Sequence, residues 1–433
     1  MHHTGSKVSF WAAVSMGIGS MVGAGIFALM GDAGSIAGSA VWISFVLGGI
    51  IALLSGYSIG RLGATFPSAG GFVEYLVRGF GPGLFSGAMS VMLYLSAMVA
   101  ISLVARTFGA YALVLLPKGA PSLWEPVFSA LIIIGFMVLN LRGARDMAMA
   151  EVLIVVLKLA VLAVFAIAGL AFIDPARLAP ATYPPAPMVF YALALTFFAY
   201  EGFRVITNAA ADMPDPAKTL PRAITTSILI VMVLYVALAF AVFGNLPLAE
   251  VIKARDYALA DAAKPVFGHA GFVVVALAAL LATASAINAS LYAVTNVTYQ
   301  LAVYGQLPKR FGHSIGHSRE GLVISSAIIM LLAVFLDLSQ IAAIGALGTL
   351  IVHLVVHIGH LRLRKKTAAP LLMIVLAIVA CFVAIAASSF YIWNKNPALI
   401  LGIGALAASA FMLELALRLI THRVILPGHL HKV

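Results

Sequence analysis

The chain has 433 residues, of which 63% are hydrophobic and 9% charged, a balance that excludes a soluble domain and predicts a bundle of transmembrane helices. Its net charge of +11 would suggest nucleic acid in a soluble protein, but here it is explained by basic loops on one side of a bilayer. The single cysteine, Cys381, excludes an intrachain disulfide and a thiolate metal cluster.

Apolar runs predict twelve spans, at about 10–33, 40–66, 83–114, 125–141, 147–173, 187–211, 220–243, 271–303, 321–337, 339–361, 369–389 and 397–420. The seam at Asp337-Leu338-Ser339-Gln340 is the weakest boundary; without a turn there the count is eleven. The connections are mostly short, so residues 1–433 are expected to form one membrane domain with no soluble appendage. The first span runs on past the length of a signal peptide and is expected to be retained.

Span one contains Gly17-Ile18-Gly19-Ser20-Met21-Val22-Gly23-Ala24-Gly25-Ile26-Phe27, with four glycines in nine residues. Each glycine costs roughly 1 kcal/mol against alanine in a helix interior. In hydrocarbon an opened backbone is tolerated where it lines a cavity and gives its polar groups to a ligand. The stretch therefore reads as a broken helix and half of a substrate site. The competing reading is close helix packing, since Gly19-x-x-x-Gly23 fits the small-xxx-small pattern.

Span five carries a lone lysine, Lys158, about eleven residues or ~16 Å from the helix start. It is too deep to snorkel, and a charge there costs at least ~2.5 kcal/mol. Lys158 is expected to carry a proton, binding the carbonyls of the first break when charged and releasing them when neutral. The alternative is a permanently charged clamp on the same carbonyls.

Span six places Gly202 between Glu201 and Arg204. Gly23 and Gly202 fall in spans with four others between them. Interrupted segments at corresponding positions in two halves point to an inverted-repeat transporter. Repeat one covers about 10–173 and repeat two about 187–361, with two additional helices over about 369–420. Half-helix N-termini suit a carboxylate and half-helix carbonyl ends suit an ammonium, so a zwitterionic amino acid matches both.

Residues 244–270 form a long outer connection, either a lid or a surface connector. In span eight, Thr283, Ser285, Asn288 and Ser290 are small polar groups; Thr283 and Ser285 are candidates to contact Lys158 or a cation, or bond back to their own helix. His353, His357 and His360 recur on span ten at spacings of four and three, but no acid or cysteine joins them there and no metal is expected. His353 is a candidate to line the pathway. The run Arg362-Leu363-Arg364-Lys365-Lys366 reads as an anchor to anionic headgroups. A Walker A sequence is absent, and Glu74, Glu125, Glu151 and Glu414 form no evident catalytic pair.

With the N-terminus inside, seventeen Lys and Arg fall on the inner side and seven on the outer. This bias predicts both termini cytoplasmic.

Three motifs carry a family resemblance: Gly19 to Phe27, Tyr57-Ser58-Ile59-Gly60-Arg61-Leu62-Gly63-Ala64-Thr65-Phe66-Pro67-Ser68-Ala69-Gly70-Gly71, and Phe197-Phe198-Ala199-Tyr200-Glu201-Gly202-Phe203. Together they resemble the amino acid–polyamine–organocation (APC) superfamily, nearly end to end, and are most similar to its ApcT-like proton-coupled amino acid transporters. The resemblance implies an all-α LeuT-type fold of five-plus-five inverted repeats with twelve transmembrane helices, helices 1 and 6 broken. It implies that Gly23, Ala24 and Gly25, flanked by Met21, Val22 and Ile26, receive the substrate carboxylate. Carbonyls near Phe198, Ala199 and Glu201, beside Gly202, would receive the amino group, with Phe198 as a gate. Lys158 matches the lysine that stands where sodium-coupled relatives hold sodium. Ala24 departs from the usual Ser or Thr, and Glu201 and Arg204 depart from the usual apolar and acidic residues. Glu201 either faces the pocket and favours cationic substrates, or pairs with Arg204 at i, i+3.

The expected activity is proton-coupled uptake of an amino acid by alternating access across the inner membrane, without a cofactor, nucleic-acid partner or enzymatic step. An exchanger or a sodium symporter is the alternative within transport, and a non-transporting membrane sensor the alternative outside it.

Overall fold

The computed structural model describes residues 8–68, 71–117, 119–142, 147–303, 309–316 and 318–421. Lys7, Ala69, Gly70, Lys118, Arg145, Arg423 and Lys432, which enter the charge bias or the loop motif, lie outside them.

The first predicted span is two helices, α1 (Phe10–Met21) and α2 (Ala24–Ala37). Ser9 caps α1 by accepting from the Ala12 N–H at 3.2 Å. A short turn leads to α3 (Val41–Thr65), then α4 (Phe72–Phe80), α5 (Leu84–Leu113), α6 (Trp124–Arg142) and α7 (Met147–Ala171). Helix α4 lies in a stretch with no predicted span. It is a short helix whose buried side carries Phe72, Tyr75, Leu76 and Val77.

The sixth predicted span is three pieces: α8 (Pro187–Tyr191), α9 (Leu193–Tyr200) and a tighter 3₁₀ helix, Glu201–Asp212. Next come α10 (Pro216–Asn245), α11 (Leu248–Lys253), α12 (Ala258–Ala262) and α13 (Lys264–Val303), with α13 kinked at Gly268. Helix α14 (Glu320–Phe335) ends just before the uncertain seam. Helix α15 (Leu338–Thr367) starts within it, capped by Asp337, which accepts from the Gln340 N–H at 2.8 Å. The chain continues with α16 (Leu371–Lys395) and α17 (Pro397–Thr421).

The protein is all-α and membrane-embedded. A two-residue antiparallel ladder, Ser314–Ile315 with Ser318–Arg319, is its only departure among the described residues. Among those residues nine helical segments are long and apolar enough to cross a membrane, and Phe10–Met21 and Glu320–Phe335 are shorter apolar helices. The sixth predicted span is missing from that set because it is divided into short pieces.

Helix α3 packs along α10 and α15, α1 lies on α10 and the 3₁₀ helix, and α2 meets α9. The two interrupted segments therefore meet inside the bundle. The 244–270 connection folds onto α2, with Val251, Leu259 and Ala260 fully buried beneath it.

Candidate functional site

The first interruption has a specific backbone cause. The Gly23 N–H would bond the Gly19 carbonyl in a continuous helix. It turns instead to the Met21 carbonyl at 2.9 Å, which releases the Gly19 oxygen. Lys158 on α7 takes that oxygen, its Nζ donating at 2.8 Å. Lys158 is only 2% exposed, so its ammonium is held by protein oxygen at membrane depth.

At the second interruption α9 tightens into the 3₁₀ helix from Glu201. The two interrupted segments touch at glycines. A Cβ on Gly25 would lie 2.5 Å from the Ala199 oxygen, and one on Gly202 would lie 2.5 Å from the Met21 nitrogen. Glycine is required at both positions because backbone meets backbone there. Tyr235 of α10, which is fully buried, donates its hydroxyl to the Met21 carbonyl at 2.7 Å, with the Ala199 carbonyl at 3.2 Å.

Beside this crossing lies a cavity of about 840 Å³, within the size range of small-molecule sites. Of the candidates from the sequence, Gly19, Met21, Gly25 and Lys158 line it from one side, and Phe198, Ala199, Glu201 and Gly202 from the other. Ser285 also reaches the wall. Val22 and Ile26 are fully buried in the core instead, and Gly23 packs toward the Ala286 methyl at 3.5 Å. The Ala24 backbone starts α2, one residue beyond the break. Thr283 donates back to Ala279 at 2.7 Å, the local bonding expected of a hydroxyl serving its own helix. Phe198 lies across the cavity wall and against α15, where a Cβ on Gly345 would come within 2.9 Å of its ring.

Glu201 has both carboxylate oxygens engaged. Arg204 Nε donates to Oε1, and His353 Nε2 lies 2.8 Å from Oε2. His353 is itself enclosed by the rings of Phe72, Phe197 and Phe203. Tyr235 was not foreseen as a site element; Glu201 and His353 were each named, but not their contact with one another. A tyrosine in an apolar run and partners far apart in sequence leave no local signal.

On the predicted outer side, Arg255 Nε meets Asp32 Oδ1 at 3.2 Å, and Ser339 donates to the same carboxylate at 2.7 Å. This joins the 244–270 connection to α2 and the start of α15. Beside it, burial holds the Asp256 carboxyl above its ordinary value, with Arg255 and Arg106 pulling the other way.

Residues 8–413 match the family model described as amino acid permease. The chain is similar to the inner membrane transport protein YbaT of Escherichia coli, at 38% identity covering 94% of this chain and 96% of that protein. It is similar at 36% identity to an uncharacterized protein, MJ0609, of Methanocaldococcus jannaschii, covering 96% of each. A more distant similarity, 26% over 72% of this chain and 71% of the relative, is to the serine/threonine exchanger SteT of Bacillus subtilis.

Proposed function

This chain belongs to the amino acid permease family, and from that premise we propose that it is a secondary transporter coupling amino acid uptake to a proton gradient by alternating access. It is a membrane transporter and not an enzyme. The proposed architecture is a LeuT-type pair of five-helix inverted repeats plus two helices, with twelve crossings in total. The proposed location is the inner membrane, both termini cytoplasmic, as the basic-residue bias argues.

The observation that carries proton coupling is the Lys158 Nζ on the Gly19 carbonyl, in the wall of the cavity at the first break. A protonated lysine satisfies an oxygen that a cation would otherwise take. Loss of its proton weakens its hold on that oxygen, since a neutral amine is a poorer donor, and removes a charge from the cavity wall. Both changes act on the same interrupted helix that offers backbone groups to a substrate carboxylate, which is how a proton would be linked to a zwitterion. The start of α2 after Gly23 and the carbonyls near Phe198 and Ala199 have the opposite polarities a zwitterion needs. Phe198, in the cavity wall, is the proposed gate over it. The Asp32–Arg255 contact then acts as an outer closure under the folded 244–270 lid.

The test is uptake of a labelled amino acid mixture into proteoliposomes under an imposed pH or sodium gradient. Uptake driven by the pH gradient supports the reading. Uptake driven by sodium and indifferent to pH rejects it. A second reading, exchange, is favoured by the similarity to the serine/threonine exchanger; it requires uptake to depend on amino acid preloaded inside the vesicles.

A further inference from the structure

A continuous ladder of hydrogen bonds leaves the cavity at Glu201 and runs between α3 and α15. His353 Nε2 is 2.8 Å from Glu201 Oε2, and His353 Nδ1 is 2.7 Å from Ser55 Oγ. Ser55 Oγ is 2.9 Å from His357 Nε2, and His357 Nδ1 is 2.9 Å from Ser58 Oγ. Ser58 Oγ is 2.8 Å from His360 Nδ1, and His360 Nε2 is 2.9 Å from Thr367 Oγ1. Ser55, Ser58 and all three histidines are fully buried; Thr367, itself buried and donating to the Arg364 carbonyl at 3.2 Å, sits at the end of α15 beside the exposed Lys366 and Ala368.

The spacing explains the geometry. His353, His357 and His360 share one face of α15, and Ser55 and Ser58 share the facing side of α3. Imidazole and hydroxyl alternate, so every intermediate group both donates and accepts. Apolar side chains would join two helices without the cost of burying five polar ones. The rings of Phe72, Phe197 and Phe203 shield the His353 end from water.

Several charged groups around the ladder have partners of their own. Arg204 holds the other Glu201 oxygen. Arg61 of α3 donates to the Thr367 carbonyl at 2.6 Å, and Arg362 of α15 to the Gly79 carbonyl at 3.2 Å. On α4 Glu74 pairs with Arg78, and on α17 Glu414 pairs with Arg418.

We propose that Glu201, His353, Ser55, His357, Ser58, His360 and Thr367 form a proton relay between the substrate cavity and the basic, cytoplasmic end of α15. The proposal rests on reading the protein as a proton-coupled transporter, and it adds an exit path to the Lys158 site. Lys158 and Glu201 line the same cavity, so a proton released from the lysine reaches the relay through cavity water.

The step balances without charging any ring. With Glu201 protonated, each link points toward Thr367. Glu201 gives its proton to His353 Nε2 while His353 Nδ1–H passes to Ser55 Oγ. The Ser55 proton passes to His357 Nε2, the His357 Nδ1 proton to Ser58, and the Ser58 proton to His360 Nδ1. His360 Nε2–H passes to Thr367, whose own proton leaves the Arg364 carbonyl, where it rests at 3.2 Å, for water admitted at the end of α15. Glu201 is then ionised and every link points back toward it. Hydroxyl rotation, tautomer exchange of the imidazoles and reprotonation of Glu201 from the cavity reset the chain.

The test uses the full chain in liposomes holding an internal pH dye, with a mixture of the twenty amino acids outside. Wild type, Ser55→Ala, Ser58→Ala, Ser58→Thr and His357→Asn are compared for amino acid-stimulated proton influx. Counterflow of the labelled mixture at equal pH, which needs no net proton transfer, is measured on each. Ser55→Ala, Ser58→Ala and His357→Asn are expected to lose proton influx by about a hundredfold, the lower end of what a positioned proton-transfer group contributes. They are expected to keep counterflow, and Ser58→Thr, which keeps the hydroxyl, to keep both. Wild-type proton influx in Ser55→Ala or His357→Asn overturns the relay, as does joint loss of influx and counterflow, which marks a structural ladder. Absence of stimulated influx in the wild type overturns proton coupling itself and is thereby distinguished from failure of the relay.

Discussion

The Tyr235 hydroxyl donates to the Met21 carbonyl at 2.7 Å and reaches the Ala199 carbonyl at 3.2 Å, so one α10 side chain ties together both interrupted segments. Tyr235→Phe keeps the ring but removes the one hydroxyl proton that the two carbonyls share, while the Met21 oxygen keeps the Gly23 N–H. Hydrogen bonds between membrane helices are worth about 0.6–1.7 kcal/mol, so the fold should survive with a modestly lowered melting temperature. Uptake should fall more than stability does, because the lost bond joins the two interrupted segments beside the cavity. Thermal unfolding in detergent and proteoliposome uptake on the same preparation test this; unchanged uptake would show that the clamp has no part in transport.

The glycines at the crossing predict a sharp positional contrast. At Gly25 and Gly202 an added methyl meets backbone within 2.5 Å, and backbone cannot step aside as a flexible side chain can. Gly25→Ala and Gly202→Ala should each cost about 1–3 kcal/mol by overpacking and abolish uptake. Gly135 on α6 has open space around its would-be Cβ. Gly135→Ala should be neutral, or stabilise by up to about 1 kcal/mol through helix propensity. Equal tolerance at all three positions would show that the two segments do not approach as closely as described.

These contrasts explain what was legible in the amino-acid order. The first break was legible because glycines cluster at Gly17 to Gly25, a composition that a continuous membrane helix does not favour. The Lys158 partner was legible because a deep ammonium must find an oxygen, and an opened helix is where one is released. The same glycines also serve packing, so the two readings of that stretch were not exclusive. The second interruption was legible at Gly202, but its form was not: residues from Glu201 to Asp212 stay wound as a tighter helix. Helix α4 was missed because it is short and carries Glu74 and Arg78 within its apolar face. Tyr235 and the His353–Glu201 contact depend on which helix faces which, and periodicity within one helix carries no such information. The histidine spacing was visible, but the serines that interleave with it lie on α3, far away in the chain.

Lys158→Ala should leave the fold intact and remove pH-driven uptake. The substitution deletes a buried charge together with the Nζ donor to Gly19, so desolvation relief offsets the lost hydrogen bond. Melting temperature should change little, while accumulation against a pH gradient should be lost. Counterflow, which does not require net proton movement, should remain. Full pH-driven accumulation by Lys158→Ala would remove the lysine from the coupling mechanism.

The outer connection should tighten on acidification. Burial raises the Asp256 carboxyl above its ordinary 3.8, against the pull of Arg255 and Arg106. The folded segment therefore binds this proton more tightly than the unfolded one. Its stability is greatest below 3.8, falls as pH rises through the interval up to the raised value, and stays lower at neutral pH. Hydrogen exchange across Leu248–Lys253 and Ala258–Ala262, corrected for intrinsic rates, should show protection rising as pH falls through that interval. Asp256→Asn should flatten that slope. A wild-type slope in Asp256→Asn would assign the effect to other carboxylates.

Glu201 should not discriminate between cationic and neutral substrates. Both of its oxygens are already engaged, one by Arg204 and the other by His353 at 2.8 Å. A carboxylate committed to two cationic or donor partners has little left to offer an incoming guanidinium. Glu201→Gln keeps the shape but removes the charge that holds Arg204, at a cost of about 1.5–3 kcal/mol for the charged hydrogen bond. Ligand-induced thermal shifts with arginine and with alanine should then weaken to the same extent. A selective loss for arginine would mean that Glu201 leaves its partners and reaches the substrate. The same variant should also stop amino acid-stimulated proton influx, because an amide cannot pass the proton that His353 receives. Equal weakening of the two ligands together with lost proton influx would separate the residue's part in coupling from any part in choosing the substrate.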